Sequence, residues 1–514
     1  MTNATQSWSL KSLTLGCLVL GFYLVNDAKA IEPETLREDL PTTVLQALNR
    51  AGIAPENVSL VVWSLGETHP RLNWNGNTPR NPASLIKLVT TTAALEEWGP
   101  AHTWTTNIRA ENPPSDRLRG NLGVEGSGDP GLTLAQWQGL WRQLYQQGTH
   151  HIEGTLIFNQ QDENQAVTHP DDFDHEGFRA YNTLPARLQV GQQAQWWYFQ
   201  PGIHAGDPIQ VWPEFPFPAI TLKNHLLTTL GPCPRPWRAM IHYAVRAPQN
   251  SAASTANYPN RSLDKGVTLE LNGVMPQSCG PQIWGFSLLT NQAYLTSSFQ
   301  TLWHELGGSF SGHFEKGNVP TTWPVIASVQ SRPLLEILME MNKNSNNLIA
   351  RTLLLDLGQT RLGDLAAENS STAQGIDQVR YILGKCGLDF PEMVLDNGAG
   401  LSRQTRINAL HLAQLLRWMQ EKSWYGAEFI ATLPLSGVDG TMRQQYSSPD
   451  LQARFHLKSG TLNEVKGIAG YGRDAENRPV TLVFMVNGTH ANAAEPAFEA
   501  LLQWIAQNES KIPQ

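Results

Sequence analysis

The texture of the chain changes twice, and this restricts the fold more than any single motif. Residues 32–56 hold an amphipathic helix pattern, with Leu40, Val44, Leu45 and Leu48 recurring at helical spacing before Gly52. Val58–Leu65 is β-branched and apolar and Arg71–Asn75 alternates, which predicts two strands joined through Gly66–Pro70. From about Thr103 to Pro324, short strand patterns such as Gly154–Phe158 and Val267–Leu271 are separated by turn-rich segments. Within that region Trp196–Pro218 is dense in Trp, Phe and Pro, a composition that packs an irregular β region or binds a glycan or peptide. Helical periodicity returns at Pro333–Leu357 and continues at Thr372–Cys386 and Asn408–Lys422. Arg454–Lys458, Gly467–Arg473 and Val480–Asn487 then read as strands, and Ala494–Gln507 as a closing helix. Like texture at both ends and unlike texture between them predict an α+β fold with a discontinuous main domain, residues 31–103 and 325–514. A mainly β region, residues 104–324, interrupts it as two small domains. No pattern repeats at a constant period, so a solenoid is not expected.

Within the first block, Asn81-Pro82-Ala83-Ser84-Leu85-Ile86-Lys87 predicts a helix start, with Asn81 as N-cap and Pro82 at the first helical position. The helix should run through Leu95 to Gly99-Pro100. Ser84 and Lys87, three residues apart, would share a face, with Ser84 near the free N–H groups of the first turn. A hydroxyl beside an amine on an apolar helix is a candidate activated nucleophile. The spacing alone proves little, because Ser262-Leu263-Asp264-Lys265 repeats it without an apolar helix behind it.

Composition narrows the setting. The formal charge is −8, with no basic run or basic–aromatic interleaving, so nucleic acid is not an expected partner. Lys11, the apolar run Leu13–Val25 and Ala28-Lys29-Ala30 read as a cleaved secretory signal over residues 1–30, which predicts export. At most a peripheral association with membrane is expected, since the apolar run is short for a span. Cys233, Cys279 and Cys386 remain beyond it, an odd count that permits one disulfide. Cys233 and Cys279 are candidates to pair. No Cys/His grouping has zinc-ligand spacing, so neither metal nor cofactor is expected.

Two further groups stand downstream of Ser84-x-x-Lys87. The polar knot Asn342–Asn347 contains Ser345-x-Asn347 between two apolar helix patterns, which suggests a loop facing a cleft. Lys458-Ser459-Gly460-Thr461 ends a predicted strand, where Gly460 allows close backbone approach. Ser-x-x-Lys, Ser-x-Asn and Lys-[Ser/Thr]-Gly in this order are shared by penicillin-binding proteins and class A β-lactamases. The chain also contains Gly126-Ser127-Gly128-Asp129-Pro130, Asn397-Gly398-Ala399-Gly400-Leu401-Ser402-Arg403 and Gly437-Val438-Asp439-Gly440-Thr441-Met442. With these segments it resembles the class C low-molecular-mass penicillin-binding proteins, D-alanyl-D-alanine carboxypeptidases/endopeptidases of the bacterial periplasm. The long separation of Ser84 from Ser345 is similar too, because that family inserts domains there.

The resemblance implies a serine β-lactamase/penicillin-binding-protein-like transpeptidase fold, an antiparallel sheet flanked by helices. It implies peptidoglycan stem peptides as substrates, β-lactam antibiotics as covalent inhibitors and a periplasmic location. It makes Ser84 the acyl-forming nucleophile, Lys87 its base and Ser345 the relay to the leaving group. Asn347 would hold the substrate amide and Lys87. Lys458, with the Ser459 and Thr461 hydroxyls, would bind the substrate carboxylate, and the Ser84 and Thr461 backbone N–H groups would form the oxyanion hole. For Lys87 to act, its pKa must fall from ~10.4 to near ~7, about 4 kcal/mol. Three departures from the family pattern bear on the site. Ser459 stands where Thr is common, Ala350-Arg351 brings an extra cation near the helix, and Ala399 removes a frequent hydroxyl. The competing functions are a serine β-lactamase, which needs an efficient deacylation base, and an idle cell-wall-binding scaffold.

Overall fold

A computed structural model describes residues 39–159, 169–246, 266–360 and 371–507. The expected secretory signal and the Ser262–Lys265 pair therefore lie outside the described residues. A five-stranded antiparallel sheet has the order His456–Leu462, Val465–Arg473, Pro479–Asn487, Val58–Ser64, Leu72–Trp74. The run Val58–Ser64 lies inside the sheet, between Pro479–Asn487 and Leu72–Trp74, and every residue in it is buried. Its alternation divides its side chains between two cores. Leu60 and Val62 join the helices Thr42–Arg50 and Glu495–Gln507, while Val61 and Trp63 join the opposite layer. That layer holds Lys87–Trp98, Leu334–Lys343, Asn347–Thr360, Thr372–Lys385 and Ala409–Glu421. Pro479–Asn487 makes the same division, with Val483 and Met485 on one side and Leu482, Phe484 and Val486 on the other. A one-residue slip would exchange the two sets, so burial on both faces fixes the register Val58↔Val486.

A third core draws only on residues from Ile108 to Ala327. Its largest sheet has five strands, ordered Phe314–Lys316, Leu156–Phe158, Leu122–Glu125, Thr105–Ala110, Val325–Gln330, with both parallel and antiparallel pairs. Among the described residues three three-stranded sheets complete the β structure. This region also contains two helices that the sequence reading missed, Leu134–Gln146 and Asn291–Glu305. The first carried a readable signal. Thr133 and Gln136 form a capping box, and Trp137, Leu140, Trp141 and Leu144 are buried at helical spacing. Cys233 and Cys279 form a disulfide, with Cα atoms 4.9 Å apart, and Cys386 is a free thiol. Among the described residues no helix is long and apolar enough to cross a membrane.

Candidate active site

The chain enters the site through a turn held from two sides. Asn81 Oδ1 accepts from Ala83 N at 2.8 Å, and Asn81 Nδ2 donates to Ser402 O at 2.9 Å. Asn487 Oδ1 accepts from Asn81 N at 2.7 Å. The predicted α-helix start is corrected here. Ala83–Ile86 is a 3₁₀ turn and the α-helix begins at Lys87. Asn81 therefore closes a turn on the residue two ahead instead of capping an α-helix. Ala83 sits at φ +46°, a left-handed conformation that costs a non-glycine residue about 1–3 kcal/mol. Gly400 permits this arrangement, because a Cβ there would meet Ala83 O at 1.9 Å. Gly460 does so from the strand side, where a Cβ would lie 2.6 Å from Pro82 O. In a 3₁₀ turn residues i and i+3 eclipse, so the structure does place Ser84 and Lys87 together.

Lys87 is fully buried, and its Nζ lies 3.0 Å from Ser84 Oγ, 2.7 Å from Asn347 Oδ1 and 2.5 Å from Ala399 O. The amide of Asn347 is oriented by its other end, because Nδ2 donates to Tyr181 O at 3.1 Å. Asn347 Oδ1 and Ala399 O can only accept. A neutral Lys87 amine thus gives its two N–H groups to these oxygens and turns its lone pair towards Ser84 Oγ. The pKa of Lys87 is held well below the ordinary lysine value, first by burial, then by the cations Lys458 and Arg351. That is the direction a base for Ser84 requires.

Ser345 has φ +56° at the tight turn between the helices Leu334–Lys343 and Asn347–Thr360. This conformation turns the polar knot at its centre, and Lys458 Nζ donates to Ser345 Oγ at 2.9 Å. Lys458 also donates to Ser459 O at 2.9 Å, and burial pushes its pKa down to about 7. Ser459 Oγ donates to Thr441 Oγ1 at 3.2 Å. Thr461 is exposed on the same strand, where it pairs with Lys466. One bonded group thus joins Ser84, Lys87 and Asn347, and a second joins Ser345, Lys458 and Ser459.

Several contributors were not among the sequence candidates. Ala399 acts through its carbonyl, and Asn397 Oδ1 fixes that turn by accepting from Ala399 N at 3.0 Å and Gly400 N at 3.1 Å. The hydroxyl absent at position 399 is therefore not the group that touches Lys87. Ala399 is buried, but Ala399→Ser leaves the carbonyl that meets Lys87 in place, so penicillin acylation rates are expected to change less than about 10-fold, the scale of about 1.4 kcal/mol. A loss beyond about 10-fold in stopped-flow acylation would show that the side chain matters. Arg351 is buried, bonds the carbonyls of Asn182 and Thr183, and adds the cation anticipated from Ala350-Arg351. Thr441, flagged only as part of a resembling segment, reaches the site through Ser459. A backbone carbonyl leaves no trace in a side-chain motif, although the two glycines flanking Ala399 were a usable signal.

The D-Ala-D-Ala carboxypeptidase 3 (S13) family model matches residues 42–508. The D-alanyl-D-alanine carboxypeptidase DacB of Haemophilus influenzae is 24% identical over 84% of this chain and 85% of its own. The D-alanyl-D-alanine carboxypeptidase of Actinomadura sp. is 25% identical over 92% of this chain and 84% of its own. Among solved structures, penicillin binding protein 4 (dacB) from Haemophilus influenzae superposes with a TM-score of 0.68. That match covers 90% of this chain and 98% of the other at 22% identity, which supports the same fold. The chain belongs to the D-Ala-D-Ala carboxypeptidase 3 (S13) family.

Proposed function

We propose that this protein is a periplasmic serine DD-peptidase that hydrolyses D-Ala-D-Ala or D-Ala–diamino-acid bonds of peptidoglycan peptides through an acyl-enzyme on Ser84. The observation that carries this reading is the buried Lys87 amine, saturated by two pure acceptors and turned to Ser84 Oγ at 3.0 Å. The relatives' names, D-alanyl-D-alanine carboxypeptidase, point the same way. Ser84 Oγ bonds to the carbonyl carbon of the penultimate D-alanine while its proton passes to Lys87 Nζ. The developing oxyanion takes the backbone N–H groups of Ser84 and Thr461, a contribution usually worth about 3–4 kcal/mol. The C–N bond then breaks, and the leaving amine takes a proton through Ser345. Water hydrolyses the ester and restores Ser84. Asn347 holds the substrate amide as well as Lys87, and Lys458 with the Ser459 and Thr461 hydroxyls holds the terminal carboxylate.

Residues 31–103 and 325–514 form the catalytic domain in this reading, with residues 104–324 inserted as two small domains. Residues 1–30 are a cleaved signal that delivers the chain to the periplasm. Penicillins acylate the same hydroxyl and remain bound. The test is to label the purified protein with a fluorescent penicillin and map the adduct by peptide mass spectrometry. One adduct on the peptide carrying Ser84 is expected. An unlabelled protein, an adduct elsewhere, or rapid turnover of penicillin would defeat the reading, the last in favour of a β-lactamase.

A further inference from the structure

The stretch Trp196–Pro218 is dense in aromatic residues, and the core takes Trp197, Phe199 and Phe217, with Phe215 packed against it, but not Trp196, Tyr198 or Trp212. The strand Gln195–Gln200 lies between Gln282–Phe286 and Gln210–Pro213 in a three-stranded antiparallel sheet. Strand periodicity sends Trp197 and Phe199 into the core beside Trp284 and Phe286. The other face carries Trp196 and Tyr198. The register sets Ile283, Tyr198 and Trp212 side by side across all three strands. Ile283 is 54% exposed and Trp212 44% exposed. The Tyr198 and Trp212 rings are nearly parallel, with centroids 5.7 Å and planes 15° apart. In the next row Trp196 lies over Gly285, where a Cβ would meet its ring at 2.8 Å. Trp196 and Tyr198 are half-buried, so the row shows the flanks of these two rings between the exposed Ile283 and Trp212, and an apolar row open to solvent in this way is a candidate binding face.

The polar groups around the rings identify the occupant. Gln200 and Gln210 pair at one end, and Glu214 N bonds Trp196 O at the other. None of these register positions is Lys or Arg. Uncharged amides beside aromatic rings suit a neutral, hydroxyl-rich polymer whose sugar C–H faces stack on the rings. A carboxylate at Glu214 and a net charge of −8 oppose anionic lipid or nucleic acid. The face also continues towards the catalytic side. Trp196 and Glu214 line a cleft of about 180 Å³ with Arg332 and Glu340. Glu340 belongs to the helix Leu334–Lys343, which leads directly into the Ser345 turn.

We propose that this sheet face binds the N-acetylated glycan strand of peptidoglycan, holding the polymer while its stem peptide reaches Ser84. The choice of polymer rests on the peptidase reading. Binding of peptide-free glycan strands is measured by titration calorimetry for wild type, Trp212→Ala and Tyr198→Ser. At least about 10-fold weaker binding is expected in each variant, the scale of about 1.4 kcal/mol. Fluorescent-penicillin labelling and cleavage of a soluble pentapeptide should remain as in wild type, while release of D-alanine from intact sacculi falls. Wild type that ignores peptide-free strands, or variants that bind them equally, would overturn the proposal. So would binding to phosphatidylglycerol vesicles in place of glycan, or a dimer that Trp212→Ala dissociates. Glycan binding without penicillin labelling would refute the peptidase reading and leave the glycan face standing.

Discussion

Lys87→Gln is expected to slow acylation of Ser84 by about 10²–10⁴-fold, the usual contribution of a positioned general base. Glutamine retains N–H donors for Asn347 Oδ1 and Ala399 O, the two pure acceptors around the lysine nitrogen. It has no basic lone pair to offer Ser84. The protein should therefore keep its fold and lose its rate, and circular dichroism separates the two. The pH profile gives a second reading. In the proposed mechanism acylation uses the neutral amine, so the wild-type rate should rise as pH increases through the depressed pKa of Lys87. That pKa lies well below the lysine norm because of burial, Lys458 and Arg351. In Lys87→Gln this acid limb should vanish. Stopped-flow penicillin acylation across pH measures both effects. A variant with near wild-type rates, or one that retains the limb, would assign the proton to another group.

The strand Val58–Ser64 was readable because it is buried on both faces, which demands a nearly continuous apolar run, here Leu60–Trp63 between Ser59 and Ser64. The three motifs were readable because each supplies a side chain that makes a specific bond. Ser84 meets Lys87, Lys87 meets Asn347, and Lys458 meets Ser345. The 3₁₀ entry at Ala83–Ile86 was not readable, since Asn81-Pro82 presents the same letters to either helix type. What selects the tighter turn comes from far along the chain, through the close approach of Gly400 and the bond from Asn487. Tyr181 was hidden for a related reason. It contributes a backbone oxygen from the middle segment to Asn347, across 166 residues. The aromatic stretch after Trp196 was half legible, because composition does not say which of two alternating faces is covered.

Lys458→Ala should cost peptides ending in a free carboxylate about 10–150-fold in kcat/KM, the worth of a hydrogen bond to a charged group. Peptides ending in an amide should lose far less, since they offer no anion. The site favours this reading because Lys458 is wholly buried and touches only neutral oxygens, those of Ser345 and Ser459, in its bonded contacts. Burial lowers its pKa to about 7, so the free site holds a proton below that pH and releases it above. A carboxylate arriving beside it restores the charged form, and binding takes up a proton above pH 7. For wild type, kcat/KM on carboxylate-ended peptides should therefore fall above about pH 7, while amidated peptides should lack that alkaline limb. The variant also removes a cation that depresses Lys87, so the acid limb should move to higher pH with both substrates. Parallel pH profiles on the paired peptides carry the test. Equal losses on both, or the same alkaline limb with both, would take Lys458 out of carboxylate recognition and leave it a structural link to Ser345.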